Sequence, residues 1–352
     1  MILTDKSQLP MPTAYQKILQ KTFDKRIPLS AHIELTYRCN LSCIHCYATD
    51  RSLPNEMTTD EIRNVLHHLH DMGCLFLTFT GGEIFCRNDT LALLKYARQL
   101  GFAIHAFTNG TLLTNEMINQ LADIELLSVE MSLYATDHTV HDAITQKPGS
   151  CAKTMTALTA CAEKGLNVKV KTILMTYNID QFESISQFAV NIGASHVFDF
   201  VLVPADNGSR PMEKYGLSQK MIEQFIAARR NPDQSVPEAP CGSAPLCGAG
   251  SNTLCITPTG NVLPCLAIRK PVGNIRNNTI NEIWESPALD EIRSLRYYDL
   301  EQCRGCKYAK YCTRCPGVAL AECGKLTAKS PSACMVAAAI YSVANEYDKG
   351  SK

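Results

Sequence analysis

YRCNLSCIHCY, residues 37–47 of the chain, holds three cysteines at the spacing CxxxCxxC. It follows an apolar run, His32 to Thr36, that predicts a strand. Three thiolates on one loop can ligate three irons of a [4Fe–4S] cluster, because soft sulfur donors suit iron–sulfur chemistry. The fourth iron then keeps an open position where a small molecule can bind. Since a tetrahedral zinc ion would lack one ligand here, we interpret Cys39, Cys43 and Cys46 as ligands of such a cluster.

The length and charge balance exclude several classes of function. The chain has 352 residues, enough for one large domain with an appendage or for two domains. Lys+Arg and Asp+Glu both number 34, so the net charge predicts no nucleic-acid partner. Residues 1–10 lack the apolar core of a signal peptide, and no apolar run approaches the roughly 20 residues of a membrane span. We therefore expect a cytoplasmic protein with no membrane partner.

The cysteine content points to metal sites. The chain has 17 cysteines, and in a protein without an export signal they are expected to stay reduced, which disfavours a disulfide framework. Seven lie between Met1 and Pro240, and ten lie between Cys241 and Lys352. The C-terminal third is therefore predicted to be a separate cysteine-rich unit.

Between His32 and about Arg230, short apolar runs alternate with amphipathic segments. The predicted strands are His32–Thr36, Leu75–Thr80, Ala103–Thr108, Leu127–Ser132, Val168–Leu174 and His196–Leu202. The predicted helices are Thr59–Met72, Asp89–Leu100, Asn115–Ala122, Ala152–Lys164, Gln181–Ile192 and Ser218–Ala228. Six alternations of strand and helix are typical of parallel strands in an α/β layer or a partial barrel.

Polar motifs follow these strands at their C-terminal ends. Gly81, Gly82 and Glu83 follow the second strand, Asn109 follows the third, and Ser132 ends the fourth. Because α/β barrels build their active sites at this end of the strands, the motifs predict one site at the top of the sheet.

The C-terminal third begins with a proline-rich stretch that predicts a linker. A hairpin is expected around residues 258–261, with Cys255 and Cys265 on its arms, followed by a helix over Ile280–Leu295. The last cysteines are Cys303, Cys306, Cys312, Cys315, Cys323 and Cys334. A zinc ribbon is the alternative, but its two CxxC pairs are normally about 15–20 residues apart, and here five residues separate them. Eight thiolates would instead satisfy two more four-iron clusters.

The opening motif resembles the radical S-adenosylmethionine (SAM) superfamily, and the C-terminal third resembles its SPASM extension, together over roughly residues 30–340. This resemblance implies that SAM binds the open iron and is cleaved to a 5′-deoxyadenosyl radical. It also implies a set of SAM-contacting residues, although Thr145 stands where many relatives carry an arginine. The predicted contacts are Tyr47, Gly81, Gly82, Glu83, Asn109 and Ser132.

The resemblance further implies two auxiliary [4Fe–4S] clusters. The first would use Cys247, Cys265 and Cys315, with Cys241 or Cys255 as the fourth ligand. The second would use the set Cys303, Cys306, Cys312 and Cys334. The spacing from Cys312 to Cys315 is one residue shorter than the usual pattern.

The fold class expected from these features is α/β. A lead (1–30) precedes a partial (β/α)6 barrel of the radical SAM type (31–230), then a linker (231–246) and a small SPASM domain with a hairpin and helices (247–340). A tail (341–352) ends the chain.

The function expected from the resemblance is that of a peptide-modifying maturase, which crosslinks or oxidises a ribosomally made peptide. A flavodoxin- or ferredoxin-type protein would supply electrons. About 30 residues precede the first predicted strand, too few for a leader-binding domain, so a separate leader-peptide-binding protein is expected. The alternatives are a radical SAM enzyme of tetrapyrrole or heme biosynthesis, a sulfatase-maturating enzyme, and a non-catalytic zinc or iron–sulfur interaction module.

Overall fold

Six parallel strands form the centre of the fold, as the sequence predicts. The computed structural model describes residues 3–4, 13–52, 54–229 and 242–350. Its strands form one sheet in the order β1-β7-β6-β5-β4-β3-β2-β8-β9-β10, in which β2 to β7 run parallel. The strands are β1 (Leu3–Thr4), β2 (Ser30–Thr36), β3 (Phe76–Gly81), β4 (Ala103–Thr108), β5 (Ser128–Ser132), β6 (Val168–Ile173), β7 (Ser195–Asp199), β8 (Thr253–Ile256), β9 (Asn261–Leu263) and β10 (Gly273–Asn274).

Helices connect these strands and cover the outer face of the sheet. They are α1 (Thr13–Asp24), α2 (Thr59–Asp71), α3 (Thr90–Gln99), α4 (Asn115–Ile124), α5 (His138–Thr145), α6 (Ser150–Glu163), α7 (Phe182–Asn191), α8 (Pro211–Tyr215), α9 (Gln219–Arg229), α10 (Ile280–Trp284), α11 (Asp290–Ser294), α12 (Pro316–Cys323) and α13 (Pro331–Gly350).

Helix α2 illustrates why the sequence folds in this way. The Thr58 side chain accepts a hydrogen bond from the backbone of Glu61, and the Glu61 carboxylate accepts one from the backbone of Thr58, which together form a capping box. The buried residues of the helix recur at helical spacing, so one face packs against the sheet. They are Ile62, Val65, Leu66 and Leu69.

The two faces of the strands differ in polarity. Ile33 and Leu35 of β2 belong to the apolar core beneath the helices. His32 and Glu34 alternate with them and therefore face the other side of the sheet, where polar side chains line the lumen. The alternation concentrates charged groups inside the partial barrel.

The C-terminal third continues the same sheet. Strand β8 pairs in parallel with β2, from Ser30 opposite Thr253 to Ile33 opposite Ile256. Strands β8 and β9 form the expected antiparallel hairpin, and β10 extends it. The predicted hairpin is therefore anchored directly to the strand that leads into the cysteine loop.

Some helices of the structure differ from those that the sequence predicts. The helix predicted over Ile280–Leu295 is divided into α10 and α11, because Pro287 lacks the N–H that a continuous helix needs and begins a short 3₁₀ turn instead. Helix α5 was not predicted. Residues 341–350 of the expected tail continue helix α13. Cys241 and residues 231–240 of the expected linker lie outside the described residues.

Candidate functional site

The cysteine loop follows β2 at the top of the sheet. Cys39, Cys43 and Cys46 are free thiols of intermediate exposure. Burial, together with the neighbouring Cys46 and Cys39 thiols, raises the pKa of the Cys43 thiol to about 12. The three sulfur atoms therefore lie within electrostatic range of one another.

Helix α5 fixes the middle of this loop. The backbone N–H of Ser42 donates to the carbonyl of Thr145 at 2.9 Å, and that of Ile44 donates to the carbonyl of Ile144 at 3.0 Å. Thr145 thus holds the loop through its backbone carbonyl.

The glycine pair after β3 lies against the same loop. A Cβ at Gly82 would lie 2.5 Å from the carbonyl oxygen of Arg38 and 2.6 Å from that of Tyr37. Gly81 has a φ of +127°, and a Cβ there would overlap the carbonyl oxygen of Thr36. The absence of side chains at the glycine pair therefore admits the cysteine loop against β3, and the predicted contact of this segment with SAM stays a prediction.

Glu83 joins two of the site loops. Its buried carboxylate accepts hydrogen bonds from the Thr108 hydroxyl at 2.7 Å and from the backbone N–H groups of Asn109 at 2.6 Å and Phe85 at 3.1 Å. Burial raises the pKa of Glu83, and these three donors oppose the rise. The side chain therefore positions the Asn109 turn relative to β3.

Asn109 reaches the cysteine loop directly. Its Nδ2 lies 3.8 Å from the Sγ of Cys39 and 2.9 Å from the Oδ1 of Asn40. Its Oδ1 accepts hydrogen bonds from the backbone and the hydroxyl of Thr111. An amide N–H close to a ligand sulfur is one of the features that tune iron–sulfur clusters.

Ser132 ends β5. Tyr134 follows it, and the Tyr134 hydroxyl lies 3.2 Å from the Nε2 of His45, inside the CxxxCxxC motif. The two rings also meet edge to face, with 4.8 Å between their centroids. Burial lowers the pKa of His45 to about 4, so this imidazole is neutral at pH 7. This aromatic contact joins the cysteine loop to the segment that follows β5.

Sequence reasoning did not identify the network around Glu34. The buried Glu34 carboxylate accepts hydrogen bonds from the hydroxyls of Tyr37 at 2.7 Å and Tyr47 at 2.6 Å, and forms an ion pair with Arg269 at 2.9 Å. Burial raises the pKa of Tyr47, and the adjacent Glu34 raises it further. A glutamate inside an apolar predicted strand was a usable signal, because a buried charge requires partners.

A second charged group lies in the lumen, on strand β5. Glu130 lies 3.0 Å from the Nζ of Lys169, 3.3 Å from that of Lys171 and 3.4 Å from the Nδ1 of His105. Burial alone would raise the pKa of Glu130, but the His105 hydrogen bond and the two lysines lower it overall. The lumen therefore contains a compensated cluster of charges.

The C-terminal cysteines form two groups of neighbouring thiols. Burial raises the pKa of Cys265 to about 11, and the nearby thiols of Cys247 and Cys315 contribute to the rise. Cys255 is buried in β8, close to Cys265 and Glu34.

In the second group, burial raises the pKa of Cys334, and the thiols of Cys312, Cys303 and Cys306 raise it further. Each group contains residues that the sequence assigned to one auxiliary cluster. Cys323, the cysteine left unassigned, is exposed.

The donor set fits iron–sulfur clusters. Among the described residues, no three Cys, His, Asp or Glu side chains converge closely enough to hold a single metal ion. A four-iron cluster instead presents a different iron to each thiolate, so its ligands surround a volume rather than a point. Soft thiolates on loops suit such a cluster better than they suit a hard cation.

Two family models match the chain. The Radical SAM superfamily model matches residues 33–189, and the SPASM model, an iron–sulfur cluster-binding domain, matches residues 247–307. The chain therefore contains a radical SAM domain and a SPASM domain, as the sequence predicts. It is an enzyme that binds SAM with a [4Fe–4S] cluster in the first domain and auxiliary iron–sulfur clusters in the second.

Individual relatives cover most of the chain. An AdoMet-dependent heme synthase of Methanosarcina barkeri is 25% identical over 331 residues, which are 85% of this chain and 94% of that protein. A PqqA peptide cyclase of Bradyrhizobium diazoefficiens is 28% identical over 314 residues, 83% of this chain and 82% of its own. The crystal structure of Streptococcus suis SuiB bound to SAM superposes with a TM-score of 0.69 at 17% identity, covering 93% of this chain and 84% of SuiB. This likeness confirms the predicted fold class.

No helix in the described part of the chain has the length and apolar character needed to cross a membrane.

Proposed function

We propose that this radical SAM enzyme carries out an oxidative modification, such as a crosslink, on a ribosomally made peptide. Cys39, Cys43 and Cys46 hold the opening cluster, whose fourth iron binds SAM. When bound, these cofactors supply the 5′-deoxyadenosyl radical that removes a hydrogen atom from a substrate carbon. Glu83 and Asn109 hold the loop in place, and the SAM contacts predicted from the sequence complete the site.

The auxiliary ligands are part of the same proposal. Cys247, Cys265 and Cys315 hold the first auxiliary cluster with Cys241 or Cys255, and the set around Cys334 holds the second. The two groups of neighbouring thiols support this assignment. We assign the barrel to residues 31–230 and the SPASM domain to residues 247–340, in keeping with the ranges of the two family matches.

The pairing of β8 with β2 carries the proposal. It anchors the hairpin that leads to Cys265 to the strand that ends in the cysteine loop, so the first auxiliary cluster, a candidate electron acceptor, would be held on the same sheet as the opening cluster. Loss of a hydrogen atom followed by loss of an electron is a net two-electron oxidation, the kind of step that forms a crosslink.

The similarity to the PqqA peptide cyclase supports a peptide as the substrate. A low-potential flavodoxin- or ferredoxin-type protein supplies the electrons, and a separate protein binds the leader peptide. We also place the enzyme in the cytoplasm, where thiols stay reduced and available to iron.

The test uses anaerobically reconstituted protein with SAM, dithionite and precursor peptides encoded in the same genome. Mass spectrometry would follow 5′-deoxyadenosine and the loss of two hydrogen atoms from a peptide. The control carries alanine at Cys39, Cys43 and Cys46 and should form neither product. SAM cleavage that leaves every peptide unmodified would contradict the peptide assignment.

Heme biosynthesis is the second candidate, because the heme synthase relative matches over nearly its whole length. In that case a tetrapyrrole should bind to the purified protein and absorb sharply in the Soret region. SAM cleavage would then change the side chains of the tetrapyrrole and would leave peptides unmodified. The same reconstituted sample therefore distinguishes the two substrates.

A further inference from the structure

A network of buried polar groups connects the two halves of the chain. The fully buried Glu34 carboxylate binds the hydroxyls of Tyr37 and Tyr47 and the guanidinium of Arg269, 235 residues away. Arg269 also donates to the Tyr37 hydroxyl and lies over the Tyr47 ring, 5.2 Å from its centroid. Such a network keeps a fixed geometry, since any movement would leave a buried charge without its partner.

The network is adjacent in sequence to two predicted cluster sites. Tyr47 directly follows Cys46 of the opening motif. Arg269 follows a tight turn in which Cys265 pairs with Ile268 across an antiparallel bridge. A path of covalent bonds and two short hydrogen bonds therefore runs from Cys46 to Cys265. The two hydrogen bonds meet at the Glu34 carboxylate.

We infer that Arg269 is a positioning residue that couples the opening cluster to the first auxiliary cluster. By holding the Cys265 turn against Glu34 and Tyr47, it fixes the distance between the two clusters and the bonded path between them. With both clusters bound, one electron would pass from a reduced [4Fe–4S]⁺ cluster to a [4Fe–4S]²⁺ cluster at the other site, with no proton moved and no bond broken. Because electron tunnelling decays steeply with distance, a small shift of the turn would slow this exchange.

This inference depends on the ligand roles proposed for Cys46 and Cys265, but not on the substrate. It predicts that Arg269 affects electron exchange between the clusters, which an ordinary contact between domains would not do. The alternative is that the arginine only stabilises the contact between barrel and hairpin.

The chain offers a matched control for that alternative. Arg276, on the segment after β10, forms an ion pair with Glu61 of α2, with Nε to Oε1 at 2.6 Å and Nη2 to Oε2 at 3.1 Å. This pair also joins the barrel to the C-terminal third. Its side chains are about a third exposed, and none of its partners neighbours a predicted cluster ligand in the sequence.

The experiment compares the reconstituted holoenzyme with its Arg269→Met and Arg276→Met variants. Iron analysis should give about twelve irons per chain for all three proteins. Electron paramagnetic resonance of the reduced samples reports the spin–spin interaction between the clusters. Freeze-quench spectra after partial reduction report the rate of electron exchange.

For Arg269→Met we expect an altered spin–spin interaction and electron exchange slowed at least severalfold, because the Cys265 turn is no longer held against Glu34 and Tyr47. Arg276→Met should retain the wild-type spectrum and rate. Neither readout needs a substrate, so a failure of the peptide proposal leaves this test intact.

Two results would overturn the inference. One is a wild-type interaction and rate in Arg269→Met, and the other is an equal change in Arg276→Met. If Arg269→Met does not fold, because Glu34 is left buried without its cation, the double variant Glu34→Gln/Arg269→Met removes both charges and takes its place. Loss of a whole cluster from that double variant would also overturn the inference, since Arg269 would then be needed for cluster binding and not for spacing.

Discussion

Substitution of Gly82 by alanine should detach the opening cluster while leaving the fold in place. The new Cβ would lie 2.5 Å from the carbonyl oxygen of Arg38 and 2.6 Å from that of Tyr37. Both atoms are backbone, so no flexible side chain can move aside. To restore an ordinary contact the cysteine loop would have to retreat by roughly 0.9 Å, and overpacking of this kind costs about 1–3 kcal/mol.

The retreat would displace Cys39, the cysteine that follows Arg38, and would loosen the hydrogen bond from Glu83 N–H to the Arg38 carbonyl, 2.9 Å long in the wild type. Iron analysis after anaerobic reconstitution should therefore fall from about twelve to about eight irons per chain. SAM cleavage should be lost with them.

Gly193→Ala is the matched control. Gly193 has a φ of +70°, and a Cβ there would meet nothing within 4 Å. The left-handed backbone at residue 193 should destabilise the Gly193→Ala protein by a similar amount, roughly 1–2 kcal/mol. It should not displace any cysteine that binds a cluster. Its iron content should stay at about twelve. A Gly82→Ala protein with full iron and the wild-type spectrum would refute the argument that the glycine exists to admit the cysteine loop.

Three further predictions follow from individual contacts. Burial lowers the pKa of His141 to about 4, so its folded form binds fewer protons than the unfolded chain, and stability falls as the pH drops below about 6.5. Between pH 7 and pH 5, urea unfolding should show wild type losing about 2 kcal/mol more than His141→Gln, and equal losses would contradict this. Glu130→Gln should cost roughly 1–2 kcal/mol, a discounted value because Lys171 is partly exposed, and adding Lys171→Met should recover part of the loss. Asn109→Leu removes the N–H near the Sγ of Cys39 and should lower the reduction potential of the opening cluster in a spectroscopic redox titration, whereas an unchanged potential would show that this contact does not tune it.

The strands were predictable because their signal is local. Short apolar runs between amphipathic segments predicted all six parallel strands to within a few residues, for example Ala103–Thr108, which the structure reproduces without a shift. The cluster motif was readable for the same reason, since its three cysteines lie within eight residues of one another. Patterns of this length require no knowledge of the tertiary structure.

The features that were missed depend on partners distant in the chain. Glu34 stands out in its strand, but nothing in the sequence connects it to Arg269, 235 residues later. Helix α5 has few apolar residues, and it is stabilised by an N-cap in which Asp137 accepts a hydrogen bond from Thr139. Its role in holding Ser42 and Ile44 appears only in three dimensions.

This division between local and distant signals has a physical reason. The cluster ligands must be close together, and the least costly way to achieve this is to place them on one short loop, where closure entropy is small. A free loop of that kind would not keep its thiols in one geometry, so separate parts of the chain must hold it. The carbonyl of Thr36 accepts from Gly82 N–H, and that of Arg38 accepts from Glu83 N–H. The backbone N–H of Ser42 donates to α5, and the carbonyl of Tyr47 accepts from Asp206 N–H at 2.9 Å. The chemistry of the site can therefore be read from eleven residues, whereas its rigidity comes from several strands and helices, and substitutions in those supports should change cluster properties without touching a cysteine.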